Sequence, residues 1–249
     1  MEQAINKNVG VVILAAGEGK RMKSELPKVM NQLKGKPLIG YVVSTVENAG
    51  LGKPVIVVGY KQKMIQDYLG PRAAYIIQEK QLGTGHAVVC AEDKLHDADN
   101  VVVLYGDMPF ISESSIKKLI GQQKKEGAAI VLATVTVKSF EGVGKYFYDF
   151  GRIIRNDKNE IIKDVEIKDA TAKELEVNEV NSGFYCFDAK WLWENLKNLK
   201  TNNAQGELYL TDLINMAFEQ KKKIGSITID AKEAVGINTQ EQLGMAHNL

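Results

Sequence analysis

The start of the chain constrains its fold more than any other part. A continuous apolar run over residues 9–15 leads directly into Gly17-Glu18-Gly19, and Arg21 and Lys28 follow. A strand without polar alternation is typical of a parallel sheet that is covered on both faces. Backbone amides in a turn after such a strand, together with two cations, suit the binding of phosphate groups. The segment therefore predicts an α/β fold with a phosphate site at its first turn.

The rest of the first half repeats the alternation of strand and helix. Predicted strands cover residues 9–15, 54–58, 74–78, 100–105 and 128–137, and predicted helices cover residues 37–50, 61–69, 83–95 and 112–126. This order indicates a doubly wound, mostly parallel, Rossmann-like sheet.

The pattern changes after about residue 138. A hairpin is predicted over 151–155 and 160–165, followed by a strand over 184–187 and helices over 191–199 and 207–221. A last strand over 224–229 precedes a final helix. We expect a single domain over residues 1–249, with one lobe over 1–138 and a smaller α+β lobe over 139–249.

Composition excludes several classes of protein. The chain has 249 residues and a formal net charge of +1, so no overall field favours nucleic acid. No apolar run approaches the length of about 20 residues that spans a membrane, and the N-terminus lacks a signal-peptide pattern. Cys90 and Cys186 have no CxxC partner and lie in apolar surroundings, which suits reduced thiols. We expect a cytoplasmic protein without a nucleic-acid or membrane partner.

Two common glycine loops do not match the first turn. A dinucleotide-binding fingerprint needs a third glycine where the chain has Met22. A Walker A loop needs glycine at position 14 and serine or threonine at position 21, but the chain has Leu14 and Arg21. The alternative to a phosphate site is a plain tight turn with two solvated cations.

Other polar residues follow the predicted parallel strands. Ligands of open α/β sheets lie outside the carboxyl ends of the strands, so the turns at 16–28, 78–85 and 106–109 are expected to face one cleft. Asp107, at the end of a buried strand, suits a Mg²⁺ ligand or a turn cap. Gln78 suits the edge of a base or an ordinary strand end. We expect His86 to pack or hydrogen-bond at a helix start and not to act as a base.

The loop sequence LAAGEGKRMKSELPK resembles the signature LxxGxGxRM, with PK a few residues on, of the sugar-1-phosphate nucleotidyltransferases. Further segments agree in order: Gln78 with QLGTGHA, LYGDMP, Glu166 with KDAT, NSG at 181–183, NAQGE with Tyr209 and Thr211, and the segment 236–238. Together they are similar to the uridylyltransferase domain of the bifunctional N-acetylglucosamine-1-phosphate uridylyltransferase/glucosamine-1-phosphate acetyltransferases. The resemblance covers nearly the whole chain.

This resemblance implies a nucleotide-diphospho-sugar transferase fold, with a nucleotide-binding lobe over 1–138 and a sugar-binding lobe over 139–249. It also implies a set of site residues. Arg21 and Lys28 would be catalytic, and Asp107 and Asn238 would bind Mg²⁺. The implied nucleotide-binding residues are Leu14, Ala15, Ala16, Gly17, Gln78, Gly83, Thr84 and Tyr105. The implied sugar-binding residues are Gly151, Glu166, Asn181 and Thr211.

The implied activity converts UTP and N-acetylglucosamine 1-phosphate into UDP-N-acetylglucosamine and pyrophosphate. Alternatives are another sugar 1-phosphate such as glucose 1-phosphate, another nucleotide, or a catalytically silent nucleotide-sugar-binding domain. A metal-dependent glycosyltransferase would need a DxD motif, where this chain has Gly106-Asp107-Met108.

Two features depart from the family pattern, and a third concerns the acetyltransferase half of these enzymes. Lys20 stands where these enzymes usually have threonine, and the 140–150 segment looks longer than usual. No hexapeptide repeats follow, so we expect no acetyltransferase domain. Since that half forms the family's trimer, we expect a monomer or a dimer.

Overall fold

The computed structural model describes residues 8–249. The expectation that the chain lacks a targeting segment rests partly on residues 1–7, which lie outside the described residues. Within residues 8–249, no helix is both long enough and apolar enough to cross a membrane.

Strands and helices alternate along the first half of the chain, and a hairpin and a long strand open the second half. The strands are β1 Val9–Ala15, β2 Gln32–Leu33, β3 Lys36–Pro37, β4 Val55–Val58, β5 Ala74–Ile77, β6 Asn100–Tyr105, β7 Ile130–Thr136, β8 Arg152–Arg155, β9 Ile161–Val165, β10 Glu179–Asp188 and β11 Ile224–Thr228. The helices are α1 Leu38–Asn48, α2 Gln62–Leu69, α3 Thr84–Val89, α4 Glu92–Leu95, α5 Glu113–Glu126, α6 Ala172–Leu175, α7 Ala189–Leu196, α8 Asp212–Glu219 and α9 Gln240–Ala246.

One large, mostly parallel sheet organises the protein, which confirms the predicted α/β fold class. Its strand order is β11-β7-β10-β6-β1-β4-β5, and the β8–β9 hairpin extends from β10. β6, β1, β4 and β5 are parallel, whereas β10 is antiparallel to both β6 and β7. Because β10 lies between β6 and β7, the sheet is continuous across the predicted boundary at residue 138. The division into two lobes stays a prediction.

Helices cover both faces of the sheet. Along β1, Val11 and Ile13 pack into the core beneath α1 and α5, while Val12 and Leu14 pack into the core beneath α7 and α8. Burying one such aliphatic side chain contributes about 1.5–3 kcal/mol. This two-sided burial explains the continuous apolar run and fixes the carboxyl end of β1, where the glycine loop begins.

The predicted helix over 83–95 is wrong in its continuity. The structure has α3 and α4 there, separated by Cys90 and Ala91. The backbone N–H of Ala91 donates to Val88, three residues back, and that of Lys94 donates to Ala91. The hydrogen-bond pattern thus tightens locally from the α-helical to the 3₁₀ spacing.

The predicted helix over 207–221 is wrong at its start, because α8 begins only at Asp212. The preceding segment is held by backbone hydrogen bonds to a distant loop. Leu208 donates to the carbonyl of Leu82 and accepts from the N–H of Gly85, each at 2.8 Å. Tertiary pairing therefore overrides helix propensity here, and it places the segment beside the predicted base-binding turn.

Candidate active site

The loop after β1 is shaped by Gly19 and Met22. Gly19 has φ +71°, and a Cβ there would lie 2.5 Å from the Cβ of Lys28. Glycine is thus required both for the left-handed backbone and for the close approach of Lys28. Met22 is fully buried and anchors the loop, while Arg21 stays exposed.

Four predicted residues from three distant parts of the chain meet in one cluster. Lys28 Nζ lies 2.5 Å from Asp107 Oδ2 and donates to Asn238 Oδ1 at 2.9 Å. Arg21 Nη2 donates to the same Asn238 oxygen at 3.2 Å. The cluster consists of Arg21, Lys28, Asp107 and Asn238, and it is called the cation cluster below.

Backbone contacts bring Asn238 to the rest of the cation cluster. The N–H of the preceding Ile237 donates to the carbonyl of Asp107 at 3.0 Å. Gln240 Nε2 donates to the carbonyl of Met22 at 3.1 Å. Ile237 is fully buried with Met22 in a small apolar core. The C-terminal segment is therefore docked both on the end of β6 and on the glycine loop.

The oxygens of the cation cluster fit a magnesium ion. A carboxylate of Asp107 and an amide oxygen of Asn238 already converge on one cation, the ammonium of Lys28. Mg²⁺ prefers oxygen ligands and usually takes only one or two from the protein, with water and substrate phosphates as the others. Among the described residues, no group of three or more His, Cys, Asp or Glu could hold a metal. A magnesium site with only two protein ligands does not require such a group.

Two clefts meet at the cation cluster. The first, of about 220 Å³, is lined by the ends of β1 and β5 and the start of α3, and the second, of about 260 Å³, is lined by residues near the β8–β9 hairpin and by β10. Lys28, Tyr105 and Asp107 line both clefts. A ligand in each cleft would therefore meet the other at these three residues.

The predicted nucleotide-binding residues all lie around the first cleft. Gly83 has φ +112°, and a Cβ there would lie 2.5 Å from the carbonyl oxygen of Leu208. The hydroxyl of Thr84 accepts from the N–H of Leu210 at 3.0 Å. Burial strongly raises the pKa of Tyr105, so its phenol stays neutral. The predicted residues that line this cleft are Leu14, Ala15, Ala16, Gly17, Gln78, Gly83, Thr84 and Tyr105.

Gln78 is buried at the end of β5, and the protein uses the donors of its side chain. Nε2 donates to the carbonyl of Gly83 at 3.1 Å and lies 3.0 Å from Nδ1 of His86. The contact with a carbonyl identifies Nε2 as the donor, so Nδ1 of His86 is the acceptor. Within the side-chain amide of Gln78, only the oxygen is therefore left to hydrogen-bond with a ligand.

The predicted sugar-binding residues all lie around the second cleft. Gly151, Glu166, Asn181 and Thr211 line it, and the hydroxyl of Thr211 donates to Glu166 Oε1 at 3.1 Å. Burial raises the pKa of Glu166; the hydrogen bond from Thr211 opposes this shift, and neighbouring Asp212 adds to it.

Sequence reasoning missed two polar residues that contact Asn181: Tyr185, which lines this cleft, and Asp164, which is buried behind it. Asn181 Nδ2 donates to Asp164 and also to the hydroxyl of Tyr185, the latter at 2.6 Å. Asp164 lies two residues before Glu166, and the two-residue period of a strand could have placed both on one face. Tyr185 lies within an apolar strand and gave no distinct signal.

Lys20 and the 140–150 segment, which depart from the family pattern, have different surroundings. Lys20 pairs with Glu18 at 3.3 Å with a side chain that is 82% exposed, so it lies outside the cation cluster. The 140–150 segment contains a 3₁₀ turn, Gly142–Phe147, and its last residues, Asp149 and Phe150, line the second cleft.

Comparisons with known proteins identify the family of the chain. A family model described as a MobA-like NTP transferase domain matches residues 11–166. The bifunctional protein GlmU of Acetivibrio thermocellus is 43% identical over 237 residues, which are 94% of this chain and 50% of that protein. GlmU of Streptococcus uberis is 42% identical over 241 residues, covering 96% and 51%. The chain spans about half the length of the curated relatives it matches.

A solved structure supports the same fold. The structure described as UDP-glucose pyrophosphorylase complexed with UDP-glucose has a TM-score of 0.79 and 22% sequence identity, and the match covers 97% of both chains. At this identity the likeness shows the fold alone. Since the family model spans more than half of the chain, the protein belongs to the MobA-like NTP transferase family and is a nucleotidyltransferase.

Proposed function

We propose that this nucleotidyltransferase is a uridylyltransferase that makes UDP-N-acetylglucosamine and pyrophosphate from UTP and N-acetylglucosamine 1-phosphate. The observation that carries the proposal is the cation cluster at the junction of the two clefts, which suits a phosphate shared by two substrates. The resemblance to uridylyltransferase domains and the GlmU relatives support it.

The reaction needs positioning and charge stabilisation more than a nucleophilic side chain. A phosphate oxygen of the sugar phosphate attacks the α-phosphorus of UTP, and the bond to the β-phosphate breaks to release pyrophosphate. Such phosphoryl chemistry depends on the alignment of the two substrates and on stabilising the charge that develops. The guanidinium of Arg21 can hold two phosphate oxygens at once, and Lys28 adds a compact charge.

Asp107 and Asn238 are the residues that would hold a magnesium ion. When bound, the ion supplies positive charge that screens the repulsion between the phosphates of the two substrates. The buried backbone contact between Ile237 and Asp107 keeps the two ligand-bearing segments together.

The hydrogen-bonding pattern of Gln78 supports uracil as the base. Because both of its amide hydrogens are used within the protein, Gln78 offers a ligand only an acceptor. Uracil has an N–H donor at N3, whereas cytosine has an acceptor there. The Gln78 oxygen would therefore pair with uracil and repel cytosine.

The acceptors around the second cleft support a sugar as its occupant. The carboxylate of Glu166 and the oxygens of Asn181 and Thr211 can accept hydrogen bonds from sugar hydroxyls. Gly151 also lines this cleft, and a Cβ there would collide with Oδ1 of Asp164, so glycine is required for the close approach of that side chain.

Pyrophosphate release from UTP and N-acetylglucosamine 1-phosphate tests the proposal. Arg21→Ala and Asp107→Ala should each lower kcat by about 100-fold or more, as the loss of one preorganised charge-stabilising group does. Lys20→Ala is the matched control, because this cation is on the same loop but points away from the cluster. Full activity in either test variant would contradict the assignment.

A further inference from the structure

Asn181 has no amide hydrogen left for a ligand. Its Oδ1 accepts from the backbone N–H of Gly183 at 2.9 Å, which fixes the orientation of the amide. Its Nδ2 donates to Asp164 and to the hydroxyl of Tyr185. An amide nitrogen carries two hydrogens, so both are used. Asn181 can therefore offer the second cleft only an acceptor.

The hydroxyl of Tyr185 is left as a donor. Its oxygen accepts from Asn181 at 2.6 Å, and the contacts within residues 8–249 include no acceptor for its own hydrogen. Tyr185 lines the second cleft although it is only 1% exposed. Burial keeps its pKa well above the usual value, so the phenol retains this hydrogen.

An irregularity in β10 produces this arrangement. The register between β10 and β7 shifts between Asn181 and Tyr185, and Gly183 between them has φ +85°. A Cβ at Gly183 would lie 2.9 Å from the ring of Tyr105, so glycine is needed. The bulge turns the two side chains toward each other, which a regular strand with residues four apart would not do.

The other polar side chains that line the sugar half of this cleft are mainly acceptors. Glu166 is a carboxylate, and the hydrogens of Thr211 and Ser182 are donated to Glu166 and to the carbonyl of Ala133. The acceptors suit sugar hydroxyls, which can donate. An acetamido carbonyl oxygen can only accept. Among the side chains that β10 and the residues beside the β8–β9 hairpin contribute to this cleft, Tyr185 is the one with a hydrogen to give. The other phenol of the cleft, Tyr105, lies at the end of β6, where the two clefts join.

We propose that the Tyr185 hydroxyl donates a hydrogen bond to the acetamido carbonyl oxygen of the bound N-acetylglucosamine 1-phosphate and so determines specificity for the 2-acetamido sugar. This inference rests on the proposed function. Asp164 is a positioning residue in it, because its Oδ2 accepts from the Asn181 amide that in turn orients the Tyr185 oxygen.

Steady-state kinetics with two sugar phosphates tests the inference. In Tyr185→Phe, KM for N-acetylglucosamine 1-phosphate should rise about tenfold, the effect of one lost hydrogen bond to a desolvated acceptor. KM for UTP should not change. KM for glucose 1-phosphate, which lacks the acetamido group, should also be unchanged; if it is not turned over, its inhibition constant is measured instead.

The KM values of two Asp164 variants test whether Asp164 positions the Tyr185 hydroxyl. Asp164→Leu removes the acceptor for Asn181 and should shift KM for N-acetylglucosamine 1-phosphate in the same direction, without a shift for glucose 1-phosphate. Asp164→Asn keeps an acceptor oxygen and should restore most of the affinity. Tyr41→Phe is the control, since that hydroxyl donates to the carbonyl of Leu33 at 2.7 Å and lines neither cleft.

The outcomes separate this inference from the proposed function. Absence of wild-type turnover would overturn the proposed function, and the inference with it. With an active wild type, an unchanged KM in Tyr185→Phe would overturn the inference alone. An equal rise for both sugar phosphates would also overturn it, because Tyr185 would then bind a group that both sugars share.

Discussion

Replacing Lys28 with methionine removes the ammonium from the cation cluster while keeping a side chain of similar length. Asp107 then loses its ion pair at 2.5 Å, and its side chain is only 9% exposed. The loss of one partner from a buried pair costs about 3–5 kcal/mol, whereas exposed pairs contribute about 0–1 kcal/mol. Since the Lys28 side chain is 22% exposed, we expect a loss of about 2–3 kcal/mol in the free energy of unfolding.

Urea unfolding at neutral pH and low salt measures this loss. Lys63→Met is the matched control: its ion pair with Asp67, at 3.3 Å, has side chains that are 84% and 64% exposed. That variant should change stability by less than about 0.5 kcal/mol.

A double variant separates the charge of Asp107 from the packing of Lys28. Lys28→Met/Asp107→Asn should recover most of the loss, because no unpaired carboxylate remains. Mg²⁺ should stabilise Lys28→Met and not the double variant, since a ligand that binds only the folded state adds stability that grows with the logarithm of its concentration above Kd. If the single and double variants are equally unstable, the unpaired charge of Asp107 does not cause the loss of stability in Lys28→Met.

Two further predictions concern titration and reactivity. Burial, and then the charge of Glu166, raise the pKa of Asp164, so the stability that its neutral form provides is lost as pH rises through the raised pKa. The melting temperature of Asp164→Asn should therefore increase relative to that of the wild type between pH 5 and pH 8. A difference between the two melting temperatures that does not depend on pH would contradict this. Burial raises the pKa of the Cys186 thiol to about 12, whereas Cys90 is partly exposed. A thiol reagent should therefore modify Cys90 in the native protein and Cys186 only after unfolding. Peptide mapping by mass spectrometry measures which cysteine is modified.

Much of the fold could be predicted because burial leaves a direct mark on the sequence. β1 and β6 match their predicted ranges, 9–15 and 100–105, since strands covered on both faces read as uninterrupted apolar runs. The helix predicted over 112–126 is present as α5, and the side chain of Ser112 caps it by accepting from the N–H of Ser115. Local chemistry alone decides these features.

The wrong start of the predicted helix over 207–221 arose because a distant segment decides the local structure there. The segment before Asp212 has helix-compatible residues, but its backbone pairs with the loop that contains Leu82 and Gly85. The position of β10 between β6 and β7 likewise depends on pairing across the chain. Neither partner can be identified from periodicity along one segment.

The candidate site shows the same limit. The ends of parallel strands predicted one cleft, and the structure brings Gly17, Gln78 and Asp107 around it. The approach of Asn238 depends on the buried contact of Ile237, and the link from Asp164 to Tyr185 depends on a bulge. The resemblance supplied Asn238, while nothing in the sequence identified Tyr185.

Turnover across substrates tests the central claim most directly. Pyrophosphate release by the wild-type chain is measured with each of UTP, CTP, ATP and GTP against N-acetylglucosamine 1-phosphate and glucose 1-phosphate, in the presence of Mg²⁺. We expect the highest kcat/KM for UTP with N-acetylglucosamine 1-phosphate, lower values with CTP, and loss of turnover when the metal is chelated. A higher kcat/KM for another nucleotide or for glucose 1-phosphate, or no release with any pair, would contradict it.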